Sequence, residues 1–126
     1  MGISIIEYEK ALFALEESLS AMRSALDPVL IKICRDATIQ RFEFCIELSW
    51  KISAKVLGSS STTAKPVIRE MAQNNLIDDV GLWFDFVEAR NKTSHSYDEK
   101  VAEEVLASSR LFAAPGLELA RRLKTR

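Results

Sequence analysis

Between Arg35 and Leu57 the chain puts Gln40, Glu43, Glu47, Lys51 and Lys55 on one stripe of a helix, while Ile39, Phe42, Cys45, Ile46, Leu48, Ile52 and Val56 cover most of the rest. A helix that is apolar over so wide an arc is a central one, and other helices have to cover it on several sides. With 126 residues the chain has material for one core and one domain, spanning 1–126. The covering helices therefore come from the segments directly before and after.

Those segments read as helices too. Ile5, Tyr8, Leu12, Leu15, Leu19, Met22 and Leu26 recur at alternating spacings of three and four, one apolar stripe on a first helix of about six turns. Asp27-Pro28 ends it, because proline disfavours helical geometry in the residue before it, and the chain is expected to turn there and restart. Gly58 is placed to stop the second helix, and the Ser/Thr-rich run to Lys65 reads as a connector. It is not a phosphate-cradling loop, since no glycine precedes Lys65. Pro66 suits the first turn of a short third helix reaching Asn74 or Asn75, and Asp78 and Asp79 offer the N-cap of a fourth that turns Val80, Trp83, Phe84 and Val87 inward. Ser96 and Glu99 have capping-box spacing, which predicts a fifth helix starting at Tyr97 and running through Val101, Val105 and Leu106. Pro115-Gly116 is expected to kink or interrupt it, leaving LELARRLKTR as a tail turn or a sixth short helix. With no strand-like alternation, the fold class is all-α, an up-and-down bundle of four to five helices.

Charge excludes one class of partner. Lys and Arg total 17 against 18 Asp and Glu, so the basic excess that non-specific binding to long duplexes needs is missing and any nucleic-acid contact has to be local. The N-terminal stretch carries acidic residues where a signal peptide needs basic ones and has no apolar run long enough to span a bilayer, which predicts a cytoplasmic protein without membrane contact. Gly2 does not open a myristoylation signal, because Ile6 stands where Ser or Thr is required. Cys34 and Cys45 are eleven apart with a single histidine in the chain, so the expectation is no metal, no cofactor and two reduced, mostly buried thiols.

That histidine lies in ARNKTSHSYD, residues 89–98, at the polar end of an apolar run. On an ideal helix Arg90, Asn91, Ser94 and His95 spread over roughly 140° and can face one cleft. Arginine brings a permanent charge and a planar fork suited to phosphate, and histidine brings a group that takes or gives a proton near neutral pH. Together they are a minimal kit for cleaving a phosphodiester without metal. The plainer alternative is that His95 closes a helix C-terminus while Arg90 pairs with Glu88 or Asp98. Trp50 and Trp83 read as core or interface anchors before base-stacking platforms. Glu43 and Glu47, one turn apart on the polar stripe, read as solvated side chains before an acid–base pair.

RNKTSHSY resembles the Arg-polar-x-x-x-His signature of the HEPN family, and its R-x4-H-x-Y form that of the HepT toxin branch. RDATIQRFEFCIELSWK, 35–51, and NLIDDVGLWFDFVEARN are similar to the nucleotidyltransferase substrate-binding branch of the same superfamily, so the resemblance covers roughly 5–110. It implies a four- to five-helix bundle, a homodimer or higher even oligomer in which two motif copies meet across one cleft, an RNA substrate and a minimal nucleotidyltransferase antitoxin as partner. Arg90 then matches the phosphate-stabilising arginine, Asn91 the polar residue after it, His95 the catalytic histidine and Tyr97 the tyrosine that the partner adenylylates. The family has an uninterrupted last helix where this chain carries Pro115-Gly116. Two readings follow, a metal-independent endoribonuclease toxin, or a non-catalytic subunit that presents substrate to a nucleotidyltransferase; a third is a helical oligomer without a ligand. The Arg-Asn-His set favours the first, because a docking subunit needs no titratable histidine, and the match at the second helix favours the second.

Overall fold

A computed structural model describes residues 4–93 and 98–126. The described residues form five helices, α1 (Ile5–Ser24), α2 (Pro28–Leu57), α3 (Ala64–Gln73), α4 (Val80–Lys92) and α5 (Glu99–Thr125). None is long and apolar enough to cross a membrane. The bundle is all-α, as its sequence periodicity requires, and α2 touches each of the other four helices.

Ser4 caps α1 by accepting from the Glu7 amide at 3.2 Å, and the expected stripe is buried from Tyr8 to Met22. The helix stops at Ser24, and Leu26 stands exposed beyond it. Asp27-Pro28 is the start of α2: the Asp27 carboxylate accepts from the Val29 amide at 2.8 Å and Pro28 occupies the first turn, where its missing N–H costs no helical bond. So α2 begins about two turns before Arg35. Val29, Leu30 and Ile33 are exposed in those turns, which is why no inward-facing stripe marked them as helix.

Gly58 ends α2 at φ 65°, in the left-handed region that glycine enters without steric cost. Asp79 caps α4 through the Leu82 amide at 3.0 Å, while Asp78 pairs with Arg122 on α5. At the centre of the bundle, Phe42 of α2, Trp83 and Phe86 of α4 and Phe112 of α5 meet edge to face, with the Phe112 ring 5.3–5.7 Å from the other three. Trp83 is thus a core residue.

Two expectations about the last helix are corrected. Pro115 does not interrupt it, and α5 runs through that residue to Thr125 with no sixth helix. One backbone bond is lost, but Phe112 before the proline and Gly116, Leu119, Ala120 and Leu123 after it are all buried, so packing carries the helix across. Gly116 is needed there because a Cβ would lie 2.6 Å from the Phe112 ring. The buried Tyr8 hydroxyl donates to the Gly116 carbonyl at 2.8 Å, and burial pushes its pKa well above 10, keeping it a neutral donor. Nor does α5 begin at Tyr97 behind a Ser96 cap. It begins at Glu99, and Asp98 is the cap, accepting from the Val101 amide at 2.9 Å.

Candidate functional site

Arg90 and Asn91 sit on the last turn of α4, and Thr93 follows as its C-cap. His95 and Tyr97, with Ser94 and Ser96, lie outside the described residues. What the structure describes is how the motif's first half and the residues on both sides of 94–97 are held, and most of these contacts lead back to α2.

Two carboxylates of the α2 polar stripe reach α4. Glu47 Oε1 lies 2.9 Å from Arg90 Nε, and the Glu43 carboxylate accepts a short hydrogen bond from Thr93 Oγ1. The expectation that Glu43 and Glu47 are merely solvated is therefore overturned, and so is the pairing of Arg90 with Glu88 or Asp98. Glu88 pairs instead with Lys65 at 3.1 Å, and Asp98 caps α5. In the sequence the two glutamates carry no signal of their own: they share a polar stripe with Gln40, Lys51 and Lys55, which are exposed. Arg90 remains about a third exposed, and Asn91 is exposed on the same turn.

Past the motif, Arg35 reaches across from α2 and donates to both Glu99 oxygens at 2.6 and 3.3 Å and to Glu103 at 3.4 Å. Its side chain is only 7% exposed, so this cation is held by carboxylates that themselves stay in water. The hydrogen bond from Arg35 holds the Glu99 carboxyl below its ordinary 4.5. Lys92 adds a 2.8 Å bridge from the end of α4 to Glu104 of α5. The segment 94–97 is thus strung between Thr93 and Asp98, with each flank tied to the same central helix.

The Arg35–Glu99 pair has a pH signature. A carboxylate whose folded pKa is lowered contributes stability above its unfolded pKa, and that contribution is lost as pH falls through the folded value. Glu99→Gln should lower the urea midpoint at pH 7, and the gap to the parent should close as the pH drops below 4.5. Midpoints measured at pH 7 and pH 3 check this; a gap of equal size at both values would show that the pair is not its source.

The arrangement offers a guanidinium about a third exposed, an exposed carboxamide beside it, and a short segment with both flanks anchored that carries the only histidine of the chain. Among the described residues no three of His, Cys, Asp and Glu are placed to share a metal ion. Cys34 and Cys45 are free thiols, and burial pushes the Cys45 thiol up to about 12, which leaves it unreactive. Trp50 is half-buried with the Lys51 ammonium 5.7 Å from its ring centre, and Trp83 lies inside the core.

Comparison with known proteins agrees with this architecture. A family model described as "Nucleotidyltransferase substrate binding protein like" matches residues 4–125. The Haemophilus influenzae protein named "Probable ribonuclease HepT" is 35% identical over 77 residues, 55% of this chain and 53% of that protein, so the chain spans about half the length of this curated relative. Among solved structures, HI0074 of Haemophilus influenzae, described as having the fold of a substrate binding domain of a nucleotidyltransferase, superposes with a TM-score of 0.82 at 25% identity, over 96% of this chain and 99% of its own. A Thermus thermophilus protein superposes with a TM-score of 0.77 at 32% identity, over 92% of this chain and 98% of its own.

Proposed function

We propose that this chain, which belongs to the nucleotidyltransferase substrate-binding-protein-like family, is a metal-independent endoribonuclease, the toxin of a pair whose antitoxin is a minimal nucleotidyltransferase. The observation that carries the reading is the Arg90 guanidinium, held at the start of an R-x4-H-x-Y segment by a carboxylate of the central helix and still open to solvent. Similarity to a protein named as a ribonuclease supports it.

In the proposed reaction the His95 imidazole takes the proton of an RNA 2′-hydroxyl. That oxygen bonds to the adjacent phosphorus, the bond from phosphorus to the 5′-oxygen breaks, and the leaving oxygen receives a proton. The products are a 2′,3′-cyclic phosphate and a 5′-hydroxyl. Arg90 pairs with the charge that builds on the phosphoryl oxygens, and Asn91 supplies a neutral donor beside it. Acid and base roles are better filled by two histidines than by one, so the active form is a homodimer or higher even oligomer, built on α2 and α4, in which two motif copies share a cleft. A stable monomer in light scattering at micromolar concentration would contradict this.

Silencing falls to Tyr97. The partner transfers a nucleotidyl group from ATP to the phenol oxygen and releases pyrophosphate, which places phosphodiester charge beside Arg90 and His95 and blocks substrate both sterically and electrostatically. Tyr97→Phe should keep RNA cleavage and escape silencing, as read by intact mass after incubation with the partner and ATP, followed by a cleavage assay. An equal mass gain on the variant would move the modification elsewhere. The second reading, a non-catalytic subunit that presents substrate, is favoured by the family's description and by that of HI0074. It predicts no mass gain on either form and no cleavage.

A further inference from the structure

We propose that Glu47 is a positioning residue for Arg90: its carboxylate holds the Nε side of the guanidinium against α2, so that the two terminal Nη groups are the ones offered to a substrate phosphate. The identity of that ligand rests on the ribonuclease reading above; the contact itself does not.

A guanidinium is a rigid fork with five donors, and a phosphate can be taken on more than one of its edges. Which edge is available depends on what occupies the others. Here Arg90 Nε is buried, 2.9 Å from Glu47 Oε1, while neither Nη group makes a hydrogen bond to a described residue. Glu47 is itself fixed. It lies in the middle of the central helix, and its second oxygen, Oε2, is 3.2 Å from the Lys51 ammonium one turn on. One carboxylate therefore stands between two cations, and the trio keeps a net positive charge. That balance is what an anion-binding arginine needs, because a lone glutamate would cancel the charge it is meant to present. The end of α4 that carries Arg90 is fixed by the neighbouring carboxylate, Glu43, through Thr93.

Among the described residues the Nε–H has no acceptor within reach other than Glu47, so distance and charge tie this edge of the fork to that one carboxylate.

Glu47→Gln keeps the size and removes the charge. It should lower kcat for RNA cleavage by on the order of 10–100-fold, the scale of a misplaced catalytic group. KM should move by less than about threefold, and the melting temperature should hardly change. In an Arg90→Ala background the same substitution should cost nothing further, because the group it positions is gone. An equal loss in that background, or full kcat in Glu47→Gln alone, would overturn the proposal. A second arm is independent of cleavage. The ¹H–¹⁵N signal of Arg90 Nε–H, assigned by its absence in Arg90→Lys, should exchange slowly with solvent in the parent and quickly in Glu47→Gln. A short all-2′-deoxy oligonucleotide, which has no 2′-hydroxyl to react, should shift the Nη signals. Fast Nε–H exchange in the parent would defeat the positioning role. If Arg90→Ala and His95→Ala both leave cleavage unchanged, the ribonuclease reading fails, and the role of Glu47 is then decided by the exchange and oligonucleotide measurements alone.

Discussion

His95→Ala should lower RNA cleavage by at least about 100-fold, the ordinary contribution of a positioned general base or acid. Helicity and thermal midpoint should stay close to those of the parent. Among the described residues the buried ones nearest to His95 in sequence, Phe86, Val87 and Ala89 on one side and Ala102, Val105 and Leu106 on the other, belong to α4 and α5, and the proposed reading puts His95 in a cleft, where a substitution costs the core little. A cleavage time course with circular dichroism on the same preparation reads both quantities. If the variant fails to fold, the histidine closes a helix end as in the plainer alternative, and if it folds and cleaves at the parental rate, catalysis lies elsewhere. A chelator should leave the parental rate intact, because charge neutralisation and proton transfer are assigned to Arg90 and His95; a metal requirement would replace that mechanism.

The largest effect on stability is expected at Phe112. Its ring is fully buried, meets Phe42, Trp83 and Phe86 edge to face, and lies over Gly116. Phe112→Ala removes three aromatic contacts and opens a cavity where three helices meet, at a cost of about 3–5 kcal/mol. Against a total of about 5–15 kcal/mol for a typical domain, that is enough to leave part of the population unfolded at 37 °C. Urea titration of parent and variant measures it, and a loss below about 1 kcal/mol would mean that the neighbouring rings close the gap.

The helices were legible in the sequence wherever one face had to be apolar. The stripe from Tyr8 to Met22, the broad apolar arc around Phe42 and Ile46, and the inward turn of Trp83 and Val87 all appear in the core. Boundaries were legible only where local chemistry acts alone. Gly58 and Asp79 punctuate as expected and the chain turns and restarts at Asp27-Pro28, whereas Pro115, read as a kink or interruption, is carried inside α5. Proline chemistry is local, but whether a helix survives it depends on burial of the turns on either side, which no local pattern displays. The same limit applied to the site. Arg90 stood out by its spacing to His95, but its partner Glu47 is forty-three positions earlier. The spacing of two residues within one short segment shows in the sequence, while the face that a distant helix turns toward Arg90 is set by the packing of the whole bundle.

The hydrogen bond from Tyr8 to Gly116 joins residues 108 positions apart, and α1 packs on α5 as well as on α2. During synthesis α1 and α2 can pair as soon as both have left the ribosome, but the flank of α1 that α5 covers stays bare until translation has passed Gly116. With elongation at about 5–20 residues per second, the nascent chain carries that uncovered apolar flank for several seconds. Chaperone capture, stalling or premature termination late in that interval, between residues 99 and 112, would meet a half-built bundle in which the residues on both sides of His95 are already synthesised and their anchors on α2 already present, while the aromatic centre still lacks Phe112.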